Sequence, residues 1–164
     1  LGLATLAGCL SQVVPAGTGR ADDPGIMAAV DSVLVALGTA DTALMRRHLA
    51  PGATFEAREE PRGRVFTYTD ADVYTGLARE TVPQLERIWN ARIQRDGQGV
   101  VVTAPYDFWR EGRFSHCGTD VFRLATVEGR WMVRRIDYTV QRDRCPASPL
   151  GTPPGMRPQP ASDA

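Results

Sequence analysis

The sequence predicts an α+β domain in which a curved antiparallel sheet wraps two or three N-terminal helices into a cone-shaped roll. Three observations carry that expectation. Apolar residues recur at helical spacing between residues 26 and 49. Four long segments of alternating character fill residues 84–141. Turns rich in glycine join those four segments in series, as in an antiparallel meander.

Each element has a local cause. Asp23-Pro24 opens the first helix as an N-cap followed by proline in the first turn. Ile26, Met27, Val30, Val33, Leu34 and Leu37 form its apolar face, and Gly38 is expected to end it. Asp41 caps a second helix with Leu44, Met45 and Leu49 as its buried stripe, stopped by Pro51-Gly52. Residues 53–58 and 64–69 read as short strands around Pro61-Arg62-Gly63. Asp70 or Asp72 starts a third helix that ends near Ala78. Long strands follow at 84–95, 100–110, 113–127 and 130–141. The turns between them are Asp96-Gly97-Gln98-Gly99, Glu111-Gly112 and Glu128-Gly129, all suited to hairpins.

Composition narrows the function classes. The chain has 164 residues, 43% of them hydrophobic, and a formal net charge of zero. That supports one domain with a core and gives no basic surface for nucleic acid. All 19 basic residues are arginine, so a lysine Schiff base or lysine general base is excluded. No Cys-x-x-Cys or His/Cys cluster occurs, so no metal site and no cofactor are expected.

The ends have their own character. Residues 1–9 read as the end of a signal peptide. Within them Leu6-Ala7-Gly8-Cys9 is similar to the bacterial lipobox, in which the cysteine receives a lipid. The competing reading is cleavage after Ala16 or Ala21. The apolar run is far shorter than the roughly 20 residues that span a bilayer, so contact with a membrane is expected only through a lipid anchor. Residues 10–23 read as a flexible tether, residues 24–145 as the domain, and residues 146–164, with six prolines, as a disordered tail. The expected setting is a bacterial periplasm or outer membrane. There Cys117 and Cys145 form either one disulfide or two separate thiols.

The order of elements resembles the nuclear transport factor 2-like superfamily, which includes SnoaL-like cyclases and ketosteroid isomerase and shares a cystatin-like roll. The run Phe114-Ser-His-Cys-Gly-Thr-Asp-Val-Phe-Arg-Leu124, followed by Gly129-Arg-Trp131, is similar to the hairpin of many exported members. The resemblance covers residues 24–141. It implies a fold and not a function, because that fold hosts enzymes, binders and adaptors.

A two-residue Glu111-Gly112 turn sets a register for its hairpin. Trp109 then pairs with Phe114, Asp107 with His116, Pro105 with Gly118 and Thr103 with Asp120. Phe122 and Leu124 belong in the core, so this face is expected to be the concave one. The result is a polar row, Arg87–Asp107–His116, with Asp120 deeper, walled by Trp89, Trp109 and Phe122. Tyr106, Phe108 and Val121 are then expected on the outer face, as a homodimer interface.

These residues suit a site that binds a small apolar or aromatic molecule. An enzyme using Asp120, His116 or Asp107 as general acid or base is the alternative, and an envelope adaptor a third reading. Asp120-Val-Phe-Arg-Leu124 resembles the ketosteroid isomerase strand around its oxyanion-hole Asp. That family's tyrosine falls at about Val33 and its base at about Ala57, with Glu56 adjacent, so steroid isomerisation is not expected. In limonene epoxide hydrolase terms, Asp107 and Asp137 match two carboxylates, but Pro105 stands where the arginine belongs. Expression of the complete gene, membrane fractionation and mass spectrometry of the mature N-terminus should find lipidated Cys9. An unmodified N-terminus at Gly17 or Asp22 would remove the anchor and leave export standing.

Overall fold

A computed structural model describes residues 23–97 and 99–157. The signal-like run, Cys9, the tether up to residue 22 and residues 158–164 lie outside the described residues.

Helix α1 (Pro24–Thr39) begins at Asp23, whose carboxylate accepts from the Gly25 N–H at 2.8 Å and the Trp131 indole at 3.0 Å. One side chain therefore caps the helix and ties it to the sheet. The helix runs past Gly38 and ends at Ala40, which adopts the left-handed conformation (φ 52°). Gly38 serves packing instead: a Cβ there would lie 3.1 Å from the Gln84 carbonyl oxygen. Helix α2 (Thr42–His48) is capped by Asp41, and α3 (Asp70–Arg79) by a Thr69/Asp72 capping box. The stop at Pro51-Gly52 is replaced by an earlier one, because Leu49 already pairs with Val133.

Seven strands follow: β1 (Leu49–Glu59), β2 (Arg64–Thr69), β3 (Gln84–Ile88), β4 (Arg92–Asp96), β5 (Gly99–Arg110), β6 (Arg113–Val127) and β7 (Arg130–Val140). They form one curved sheet in the order β2-β1-β7-β6-β5, with β3 and β4 both paired to β5. Only β1 and β7 are parallel. Both tight turns have the expected chemistry, with positive φ at Glu111, Gly112, Glu128 and Gly129. The buried core of Ile26, Val30, Met45, Leu49, Val102, Leu124 and Val133 fills one end of the cone.

Three local irregularities change which side chains share a face. The expected strand at 84–95 is broken at Trp89-Asn90-Ala91, with Asn90 at φ 48°. In the β5–β6 hairpin, Trp109 pairs with Phe114 as expected, but Phe108 pairs with His116, so Ser115 is an extra residue on β6. Beyond it the partners are Asp107 with Cys117, Tyr106 with Gly118 and Ala104 with Asp120, one residue away from the expected register. A second bulge makes Arg134 the extra residue of β7 opposite Arg123-Leu124.

The outer face differs from expectation accordingly. Tyr106 and Phe108 point inward, so the apolar interface expected there for a homodimer is not formed by them. One part of the outer face carries alternating charges: Asp96–Arg123 at 3.1 Å, Arg123–Asp137 at 3.7 Å, Asp137–Arg135 at 2.6 Å and Arg135–Glu56 at 2.9 Å. Another is crossed by residues 146–157, expected as part of a disordered tail. Cys145 is bonded to Cys117, Pro153 is buried, and the Arg157 N–H donates to the Gly112 carbonyl at 2.8 Å. Low apolar content did not prevent this segment from docking, because a covalent bond and backbone hydrogen bonds hold it.

Gly118 is a point of close approach. A Cβ on it would lie 2.0 Å from the Thr139 carbonyl oxygen and 2.7 Å from the Tyr106 ring. Tyr106 lies across the glycine and donates its hydroxyl to that same carbonyl at 2.7 Å. Gly118→Ala is expected to cost about 2–3 kcal/mol through overpacking, read as a lower urea midpoint at unchanged m-value. An unchanged midpoint would contradict this packing.

Candidate functional site

The open end of the cone holds a cavity of about 490 Å³. Helix α1 contributes Val33, Leu34 and Leu37, and the sheet contributes an aromatic wall of Phe55, Phe66, Tyr68, Phe108, Phe122 and Tyr138. Its mouth is framed by Glu59, Arg64 and Arg142, where Arg64 pairs with Glu59 and Arg142 approaches it at 3.7 Å. The lining residues of one strand alternate along it, as in Phe55-Ala57-Glu59 on β1 and Arg64-Phe66-Tyr68 on β2.

Of the residues expected in this site, Asp120, His116 and Phe122 line the cavity. Asp107, Arg87, Trp109, Trp89 and Thr103 do not, and the cause is the parity of β3 and β5. Ser115 leaves His116 and Asp120 inside but turns the odd-numbered residues of β5 outward. Arg87 does lie beside Asp107 as expected, and binds it through two contacts of 2.9 and 2.5 Å. This ion pair sits under the C-terminal segment: Arg87 donates to the Gly151 carbonyl at 2.7 Å and its guanidinium lies 5.6 Å from the Trp109 ring. Asp107 and Trp109 are each only 1% exposed, so they belong to a second, outer core. Thr103 pairs with Val121 on the same outer side, and Trp89 falls at the break after β3.

The sequence reading missed Glu86. An unbroken strand over residues 84–95 with Arg87 and Trp89 on its inner face sends Glu86 the other way. With the break at 89–91, Ile93 faces the core and so do Ile88 and Glu86. Phe108 was missed for the same kind of reason. A glutamate in phase with Ile88, two residues along, was the available signal.

Glu86 and Asp120 are hydrogen-bonded to each other across the cavity floor. Asp120 is 2% exposed and its Oδ2 has no hydrogen-bond partner among the described residues. Burial pushes the Glu86 carboxyl up to about 7, with the Asp107 charge adding to the rise. Burial also raises Asp120 well above the usual carboxylate range, helped by the negative charge of Glu86 and the bond to it. The pair as a whole therefore holds a proton to higher pH than a carboxyl in water does. Tyr138 is pushed up to about 12 by burial and by Tyr68 and the two carboxyls. Burial, with the Arg142 charge, brings His116 down to about 4, so its ring is neutral at physiological pH. That ring stacks on Phe108 at 4.8 Å and its Nδ1 shares a hydrogen bond with Ser115 Oγ at 2.9 Å. Among the described residues no three His, Cys, Asp or Glu side chains gather as a metal site.

The architecture is shared with solved structures of low identity. A protein from Cytophaga hutchinsonii described as NTF2-like is 16% identical, with a TM-score of 0.60 over 70% of this chain and 94% of its own. A Salmonella enterica protein of the nuclear transport factor 2 superfamily is 15% identical, with a TM-score of 0.57 over 73% and 91%. This chain has the nuclear transport factor 2-like fold. A Nostoc punctiforme protein of unknown function with a cystatin-like fold agrees, at 14% identity and a TM-score of 0.56 over 77% and 92%. No family model and no curated protein matches the chain. Here the cavity lies between the last turns of α1 and the inner sheet face.

The site predicts a pH signature for stability. Both carboxyls have folded-state pKa values above their unfolded ones, so the folded state binds more protons and its stability falls as pH rises through about 7. His116 has the opposite sign. Its folded value is depressed, so it favours the folded state above about 6.5 and loses that contribution as pH falls toward 4. The two slopes oppose one another below 6.5 and only the carboxyl slope remains above it. Urea titrations should show wild-type stability declining between pH 6.5 and 8.5, by at most about 1.4 kcal/mol per pH unit for one proton. Glu86→Gln/Asp120→Asn should flatten that decline. A wild type whose stability is flat over this range would contradict the buried pair.

Proposed function

We propose that this is an exported domain that binds one small, largely apolar molecule in the cone cavity. The observation that carries the reading is an aromatic-walled space with one buried polar centre, Glu86–Asp120, at its floor. A cavity of about 490 Å³ falls within the roughly 300–1,000 Å³ range of small-molecule sites. Burial of the ligand's apolar body would supply affinity, and the carboxyl pair would fix its orientation. The Cys117–Cys145 bond supports export, since disulfides persist in oxidising compartments. A lipid anchor at Cys9 would hold the domain at a bacterial envelope membrane.

A second reading is favoured by the same pair. A carboxyl that exchanges a proton near pH 7, beside one that stays protonated, suits general acid–base catalysis. In that case Asp120→Asn would lower kcat with little effect on KM. His116 would take part only as a neutral donor or acceptor, because burial keeps it uncharged.

Binding is tested with N-phenyl-1-naphthylamine, an apolar dye that brightens on leaving water. The wild type should bind one dye per chain. Ala57→Trp places an indole in the cavity and should abolish binding while far-UV circular dichroism stays unchanged. Equal binding by the variant, or none by the wild type, would count against the cavity as a ligand site.

A further inference from the structure

Beside the hydroxyl of Tyr138 and the ring N–H of neutral His116, the two carboxyls of Glu86 and Asp120 give the cavity floor a surplus of acceptor oxygens. Tyr106 commits its hydroxyl proton to the Thr139 carbonyl, and the one proton of the carboxyl pair lies between Glu86 and Asp120. Asp120 Oδ2 is left buried with no partner among the described residues. A ligand carbonyl, itself an acceptor, would bring that oxygen nothing, whereas an N–H donor would satisfy it.

Charge points the same way. The cavity's two arginines, Arg64 and Arg142, stand at the mouth and face Glu59. From α1 only apolar side chains reach the floor; from β6 comes neutral His116, and from β7 and β2 come Tyr138 and Tyr68. Asp107, behind β5, adds to the negative potential at Glu86. The floor is thus an acidic centre ringed by aromatic faces, whose negative quadrupoles also attract cations.

We propose that the cavity selects a small organic amine, its ammonium seated against Glu86 and Asp120 and its apolar body against Phe108 and Phe122. This rests on the cavity's being a ligand site. An ammonium donates up to three hydrogen bonds, enough to engage the Glu86 and Asp120 carboxyls together. Its charge drives the shared site toward ionisation, so binding releases a proton to solvent. The amine keeps its own charge between pH 5 and 8, with a pKa near the ~10 of alkyl ammonium groups. Affinity for it therefore rises with pH as the carboxyl pair ionises through about 7.

The test compares 2-(1-naphthyl)ethylamine with its neutral isostere 2-(1-naphthyl)ethanol by titration calorimetry at pH 5 and pH 8. A further titration at pH 6.5 in two buffers of different protonation enthalpy should report proton release, because affinity climbs with pH there. At pH 8 the amine should bind about tenfold or more tightly than the alcohol, and the gap should close at pH 5. Glu86→Gln/Asp120→Asn should still bind the alcohol and lose the amine preference. Glu86→Gln alone, which can keep a hydrogen bond to Asp120, should shrink that preference if the double variant does not fold. Equal or tighter binding of the alcohol at pH 8 overturns the amine proposal and leaves the ligand-site reading intact. A preference that survives in the variants places the cation elsewhere and also overturns it. No binding of either compound or of the apolar dye overturns both readings.

Discussion

One extra residue, Ser115 in the β5–β6 hairpin, sorts the polar side chains of this domain between two environments. Without it, a two-residue turn would put Asp107 and His116 on the same face, with Asp120 beside Thr103. With it, His116 and Asp120 stay in the cavity while Asp107 turns outward to meet Arg87. The separation matters energetically. Two carboxyls and an imidazole gathered in a single apolar cavity would each lose solvation, and the two carboxylates would repel. Divided, Asp107 gains a two-point contact with a guanidinium, which is the arrangement that makes a buried carboxylate tolerable.

The outer arrangement needs a cover as well as a partner. Residues 146–157 supply it. Their carbonyls at Leu150 and Gly151 accept from Arg87, and the Cys117–Cys145 bond fixes where they begin. Cys117 follows His116 in sequence and points to the opposite face, so the disulfide and the cavity histidine are set by the same stretch of strand. The alternating charges from Asp96 to Glu56 occupy another part of the outer face. Together these features make much of the convex side polar or covered, while Phe66 and Tyr68 of β2 remain partly exposed where they line the cavity.

Inside, the cone is filled unevenly. Bulky α1 residues pack the closed end, whereas the helix stops at Thr39, just after Gly38 brings it close to β3. The sheet continues past that point, and its inward side chains line space in place of a helix. The carboxyl pair sits at the boundary between packed core and open cavity. Burial there explains why both carboxyls favour the protonated form.

The sequence by itself determined whatever depends on neighbours along the chain. Asp23, Asp41 and Thr69 cap helices because a cap needs only the next few backbone N–H groups. Glu111-Gly112 and Glu128-Gly129 close hairpins because positive φ is a local property. Phe122, His116 and Asp120 were legible as inward because they share parity with Leu124 on one strand. Tertiary structure decided what depends on relations between strands. The break at Trp89-Asn90-Ala91 and the bulge at Ser115 each shift parity by one residue, and a period of two turns that shift into a change of face. Glu86 and Phe108 entered the cavity, and Asp107, Arg87, Trp109, Trp89 and Thr103 were excluded from it, on that account alone. The docking of residues 146–157 was equally out of reach, because its partners lie some 40 to 60 residues away and its hydrogen bonds come from backbone, which carries no signature in the sequence.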